Sequence, residues 1–173
     1  ACGNESSVTS TFTIQDTMAP VAPAAPADVD VQCASDVPDA VELTADDDCN
    51  GKITVSPTDD VTPGECANSF TLVRTWTFTD ACGNESSVSQ TINVNDDTAP
   101  VFEGDLPQDM DVQCDSDVPA PADLKATDNC DGDVTVNVET LPQECDRGQS
   151  NCAHDIVYVY TATDVCGNSV EHT

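Results

Sequence analysis

Apolar and polar residues alternate along much of this chain. Across residues 70–79, Leu72, Trp76 and Phe78 fall on one side and Val73, Thr75, Thr77 and Thr79 on the other. Near the C-terminus Ile156, Tyr158, Tyr160 and Ala162 alternate in the same way with Val157, Val159, Thr161 and Thr163. A period of two, with β-branched residues on the second face, predicts strands that bury one side of a sheet. Residues 29–33, 41–45 and 53–56 are shorter candidates. Val88, Ile92 and Val94 continue the pattern after a Cys-Gly-Asn turn, and Val8, Phe12 and Ile14 repeat it near the N-terminus. No window carries the 3.6-residue apolar stripe of a helix. With turn residues every ~8–12 positions and about seven short strands in about 80 residues, the chain is predicted to be all-β, a tandem of immunoglobulin-like β-sandwiches.

The tandem is explicit in the residues. Shifted by 80, residues 1–21 fall on residues 81–101 with 13 of 21 positions identical. Shifted by 81, Asp30-Val31-Gln32-Cys33 falls on Asp111-Val112-Gln113-Cys114, and Cys49 and Gly51 fall on Cys130 and Gly132. Cys82 meets Cys166 after a small insertion. A period near 80 is too long for a solenoid unit and suits a small domain. Placing the boundaries at the prolines of residues 16–20 and 96–100 divides the chain into the final strand of one repeat (1–16), a complete domain (17–97) and a domain without its final strand (98–173).

Charge then narrows the function. Of 173 residues, 33 are acidic and 4 basic, a net charge of −29. No basic patch can be assembled from Lys52, Arg74, Lys125 and Arg147, so nucleic acid is excluded as a partner and an anionic membrane surface is disfavoured. No segment reaches the ~18 apolar residues of a membrane span, so no membrane insertion is expected.

Ten cysteines point to an oxidising compartment, outside the cell or on its surface. A zinc site would need close pairs such as C-x₂-C, and a nucleophilic cysteine would need a nearby base. The only histidines are His154 and His172, neither of them in the complete unit. Disulfides are the expectation, and no enzymatic activity is. Pairing Cys33 with Cys49 and Cys66 with Cys82 closes the shortest loops, about 16 residues each and worth about 3 kcal/mol. Four cysteines allow three connectivities, so the others stay open. The last unit carries Cys114, Cys130, Cys145, Cys152 and Cys166, where Cys145 or Cys152 could join Cys166 or each other. The partner of Cys2 is expected outside this chain.

The acidic clusters have two readings each. Residues 46–51 and 128–133 lack the ligand spacing of a calcium loop, and their Asn-Gly and Asp-Gly steps read better as hairpin turns. At the domain junctions, Asp16, Asp80, Asn84, Asp96 and Asp97 supply the oxygen types that calcium takes. The alternative there is a solvated acidic linker stiffened by Pro20 and Pro100. Asn4 and Asn84 stand in Asn-Glu-Ser sequons that also read as simple turns.

The strings T-D-A-C-G-N (79–84), T-D-V-C-G-N (163–168), D-N-C-D-G (128–132) and D-T-A-P-V (97–101) together resemble hyalin-repeat-like (HYR-like) domains of the four-cysteine type. The resemblance covers essentially the whole chain. It implies immunoglobulin-like domains in long arrays on exported surface proteins, above all of Bacteroidetes bacteria, with a stalk or adhesive role and no catalysis. In that setting Asp-Thr followed by a small or apolar residue is an O-glycosylation signal, which makes Thr17 and Thr98 candidates. A fifth cysteine in the last unit departs from the four-cysteine pattern.

Three roles follow as expectations. The first is a structural segment of an extracellular fibre or adhesin stalk, whose partners are neighbouring repeats. The second is a filament subunit completed by a strand donated from an identical subunit. An excerpt of a longer array is the preferred account of the two ends. The third is a calcium-dependent module that grips surface glycans.

Overall fold

The structure is a computed structural model, and it describes residues 2–142 and 154–173. It is all-β. Six strands lie in the first repeat: β1 (Val29–Val31), β2 (Leu43–Asp47), β3 (Gly51–Val55), β4 (Thr58–Pro63), β5 (Ser69–Thr79) and β6 (Glu85–Asn95). Six more follow: β7 (Val101–Glu103), β8 (Lys125–Asp128), β9 (Gly132–Val134), β10 (Val136–Pro142), β11 (Ile156–Thr163) and β12 (Ser169–His172). By contacts the chain forms two compact units. The first gathers Ala1–Pro26, Ala40–Thr58 and Arg74–Gln90, and the second gathers Ala27–Asp39, Asp59–Val73 and Thr91–Thr173.

In the first unit β2 and β3 form an antiparallel hairpin in which Leu43 faces Val55 and Asp47 faces Gly51. Gly51 closes the turn at φ +75°, a conformation a side chain would strain. Trp76 and Phe78 from β5 and Ala45 from β2 are fully buried, with Leu43, Ile53, Val55 and Val88 packed against them. Two sheets thus face each other across one apolar layer, as in a sandwich. The indole nitrogen of Trp76 donates to the Val41 carbonyl at 2.8 Å, so the ring is buried with its polar atom satisfied.

The second unit has its own core of Leu72, Ile92 and Val94, lined by Val29, Val31, Val37 and Phe70. Here β1 lies parallel to β6, with Val29 opposite Ile92 and Val31 opposite Val94. The later strands form two three-stranded sheets, ordered β7-β8-β9 and β10-β11-β12, with antiparallel pairing throughout. Tyr160 and Ala162 of β11 and Ala126 of β8 are buried, and the Tyr160 hydroxyl accepts from the Ala122 amide at 2.9 Å.

The alternation in residues 70–79 is realised as predicted, with one addition: Arg74 shares the buried face with Leu72 and Trp76. Two expectations need correction. β4 was not anticipated, because all six of its residues are exposed and no face of it is apolar. The strand expected around Val8, Phe12 and Ile14 does not form. Residues 2–20 are without regular structure, and those side chains are 98%, 86% and 96% exposed. Their counterparts in β6 are hydrogen-bonded between β1 and β5, whereas residues 2–20 have no strand on either side. An unpaired strand leaves its backbone groups to water and gains nothing by extending.

Candidate functional site

The cysteines fall into local classes set by the backbone. Four sit in Asp-x-Cys turns, in which an aspartate oxygen caps the cysteine amide. Asp47 caps Cys49 at 3.1 Å, Asp80 caps Cys82 at 2.9 Å, and Asp128 and Asp164 cap Cys130 and Cys166 at 2.8 Å each. Such Asx turns are the reason for an aspartate two residues ahead of each cysteine. Cys33 and Cys114 precede short 3-10 turns, their carbonyls accepting from Asp36 at 3.0 Å and Asp117 at 2.9 Å.

The disulfides join two of the Asp-capped cysteines to Cys33 and to Cys66, whose carbonyl accepts from the Ser69 amide at 3.1 Å. Cys33 is bonded to Cys130 and Cys66 to Cys166, each with Cα atoms 5.1 Å apart, across separations of 97 and 100 residues. The short-loop pairing of Cys33 with Cys49 and Cys66 with Cys82 is therefore corrected: both bridges run from one repeat to the next. The physical reason is that loop length is a weak constraint. Going from about 16 to about 97 residues adds only ~1.6 kcal/mol of closure entropy, while Cα separation is a strict requirement. Cys2, Cys49, Cys82 and Cys114 are free and exposed. Cys145 and Cys152 lie outside the described residues.

Asn68 organises the ground between the two bridges. It is buried, its side-chain oxygen accepts from the Ala34 amide at 2.9 Å, and its amide nitrogen donates to Asp131 at 3.2 Å. Its carbonyl accepts from the Asp96 amide at 3.0 Å, and the other Asp131 oxygen accepts from Val165 at 2.8 Å. The Cys130 turn is thus tied to the first repeat by a hydrogen bond as well as by sulfur, and so is the Cys166 turn, through Asn168, whose amide nitrogen donates to the Asp96 carbonyl at 3.1 Å. Nothing in the sequence marked Asn68 out.

The five candidate calcium residues do not form one group. In the first unit the carboxylates of Asp16, Asp47 and Asp80 come within 4.8 Å of one another. In the second unit Asp96, Asp128 and the sulfur of Cys130 do the same, although a disulfide sulfur is a poor ligand for a hard cation. Asp47 and Asp128 belong to the turns 46–51 and 128–133, whose spacing reads as a hairpin rather than as a calcium loop. Asn84 meets its cluster with a donor. Its amide nitrogen donates to Asp80 at 2.7 Å and to the Asp16 carbonyl at 3.4 Å, and Asn168 treats Asp164 and Asp96 in the same way. Asp97 turns away to accept from Gln32 at 2.7 Å. Burial pushes the Asp80 carboxyl up, but hydrogen bonds from Asn84, Cys82 and Gly83 outweigh it and its pKa lies below the ordinary value. Asp96 moves the other way: burial raises its pKa against the Thr98 hydrogen bond, helped by the charges of Asp128, Asp164 and Asp131.

Thr17 and Thr98 are both exposed, with the Thr98 hydroxyl donating to Gln32 at 3.0 Å. Trp76 and Tyr160 lie in the core and offer no platform to a sugar.

Successive β-repeats welded by paired disulfides define a class of extracellular structural or adhesion-type module. HYR-like domains with four cysteines match residues 21–94 and 102–173, and the chain belongs to that family. Comparison with curated proteins and with solved structures finds no match. Among the described residues no helix is long and apolar enough to cross a membrane.

Proposed function

We propose that this chain is a non-catalytic segment of a cell-surface fibre or adhesin stalk, in which each repeat is welded to the next. The observation that carries this reading is the pair of bridges, Cys33 to Cys130 and Cys66 to Cys166, both of which cross the repeat boundary. Two covalent links and the Asn68 hydrogen bonds restrict bending and twisting at a junction that one linker would leave free. The test is immuno-electron microscopy of cells that export the protein, with and without reductant. Extended fibres that become flexible on reduction are expected; a diffusely released protein with no fibre overturns the reading.

A donated strand is the second reading, and it is favoured by a difference between the repeats. Val29–Val31 is a strand because it pairs with β6. The counterpart residues 110–112 form no strand, and Met110 and Val112 are 65% and 39% exposed. Either a following repeat or residues near Phe12 and Ile14 of another copy could supply the missing strand. Adding a peptide of residues 8–16 to the protein tests the second source: binding with added strand signal supports donation, and no binding removes it.

Divalent cation binding belongs to the same proposal. Oδ2 of Asp96 and Oδ2 of Asp128 are buried without a hydrogen-bond partner, on side chains only 5% and 9% exposed. Buried, clustered carboxylate oxygens suit calcium, which takes oxygen ligands only. Calcium titration of the oxidised protein by calorimetry tests it. Binding that is lost in Asp96→Asn is expected, and no heat up to millimolar calcium overturns it.

A further inference from the structure

We infer that Cys49 and Cys82 are the receiving half of a covalent coupling, and that each takes a disulfide from another four-cysteine repeat. This rests on the stalk reading and names the partner at its junctions.

The argument is the equivalence of four turns. Cys49 stands in its Asp-capped turn as Cys130 does, and the matching glycines, Gly51 and Gly132, lie at φ +75° and +71°. Cys82 stands in its turn as Cys166 does, with Gly83 at +88° and Gly167 at +91°. In the second repeat the cysteines of these turns, Cys130 and Cys166, are bonded to Cys33 and Cys66 of the repeat before. In the first repeat, Cys49 and Cys82 are exposed thiols. The same local structure, presented once with a partner and once without, identifies that partner: a repeat whose cysteines hold the positions of Cys33 and Cys66. Cys114 is the complementary donor. It shares its 3-10 turn and the Asp-Val-Gln-Cys sequence with Cys33, and it too is a free, exposed thiol. The four cysteines of a repeat therefore divide by direction, two reaching back and two reaching forward.

The chemistry balances with a low-molecular-weight disulfide as oxidant. One cysteine thiolate attacks the small disulfide and releases a small thiolate. The second cysteine thiolate then attacks the mixed disulfide at the protein sulfur, forming the inter-repeat bond and releasing the second small thiolate. The two protons lost by the cysteines end on the two small thiols, and the electron pair reduces the small disulfide.

The experiment is disulfide mapping of the full 173-residue chain after oxidation with such a disulfide, digested at acid pH to prevent exchange. Here only a second copy can act as partner. The expected result is a peptide joining Cys49 to Cys114 and a ladder of multimers on non-reducing gels that collapses on reduction. Cys49→Ser with Cys82→Ser should abolish the links through these positions while keeping Cys33–Cys130. Cys49 bonded within its own repeat, or recovered as a free thiol from fully oxidised protein, overturns the inference. If Cys33–Cys130 and Cys66–Cys166 are themselves missing, the stalk reading has failed instead. In cell-derived material, reduction separates the sources: linked repeats that stay on one polypeptide are neighbours in sequence, and those that part are separate chains.

Discussion

Asn68 and Asp131, one from each repeat, meet through a hydrogen bond of 3.2 Å between an amide nitrogen and a carboxylate oxygen. Because Asn68 also holds the Ala34 amide beside Cys33, one side chain spans the ground that the disulfide closes. Replacing it leaves buried groups without partners. Asn68→Ala is expected to destabilise the second unit by about 1–3 kcal/mol. Urea unfolding of the oxidised protein is the check, and a change within ~0.5 kcal/mol would show the contact to be incidental.

Removing the longer-lived constraint should have a larger effect. Cys33→Ser combined with Cys130→Ser opens a loop of separation 97. The loop-entropy model puts the loss at about 4–5 kcal/mol. The same urea titration measures it, and Cys49→Ser should leave the stability of the 173-residue monomer nearly unchanged.

Trp76 is the only tryptophan and is fully buried, so its emission reports directly on the core of the first unit. Trp76→Ala is expected to lose about 3–5 kcal/mol, since it leaves a cavity and an unpaired Val41 carbonyl. In the native protein the emission should be blue-shifted and should move red on unfolding.

Asp96 gives a signed pH dependence. Its pKa is raised in the folded state by burial and by the facing Asp128, Asp164 and Asp131, so the native state holds that proton more tightly than the unfolded chain. In cation-free buffer its contribution disfavours folding at neutral pH and is relieved as pH falls through the folded value towards the ordinary one. Asp96→Asn should therefore raise the cation-free melting temperature at pH 7 and flatten this part of the profile. A lower melting temperature would contradict it.

Cys49 should be a slow thiol. Its hydrogen bond to Asp16, the charge of Asp16, burial, and then Asp47 and Asp48 all push its pKa up. Alkylation of Cys49 should need a higher pH than an ordinary cysteine, and Asp16→Asn should speed it at pH 8. Equal rates in the two proteins would remove Asp16 from the account.

The strands of the core were legible because burial imposes a period of two, as in residues 70–79, and the repeat was legible because Cys49 and Cys130 share a turn. What the alternation could not show was β4, which buries nothing, or the loss of the strand at Val8 and Phe12, which depends on neighbours outside the pattern. The cysteine partners were hidden for a different reason. Sequence proximity measures the entropy of the unfolded chain, whereas Cys33 and Cys49 belong to different compact units in the folded one. The carboxylate clusters were half legible: Asp16, Asp80 and Asp96 stood out at the junctions, but Asp47 and Asp128 are brought in by turns whose spacing reads as a hairpin and not as a calcium loop.

The Cys33–Cys130 bond also reroutes tension. A pull that enters through the backbone ahead of Cys33 crosses the sulfur bridge and continues from Cys130, so the intervening stretch, at a separation of 97 residues, is shielded from it, whereas a pull entering through a bridge at Cys49 loads the residues between Cys33 and Cys49. Fully extended, that stretch would add roughly 330 Å of contour, at about 3.4 Å per residue. While the bridge holds, this slack is locked away from a pull along the backbone. A reducing environment releases it, and the chain can then lengthen by domain unfolding.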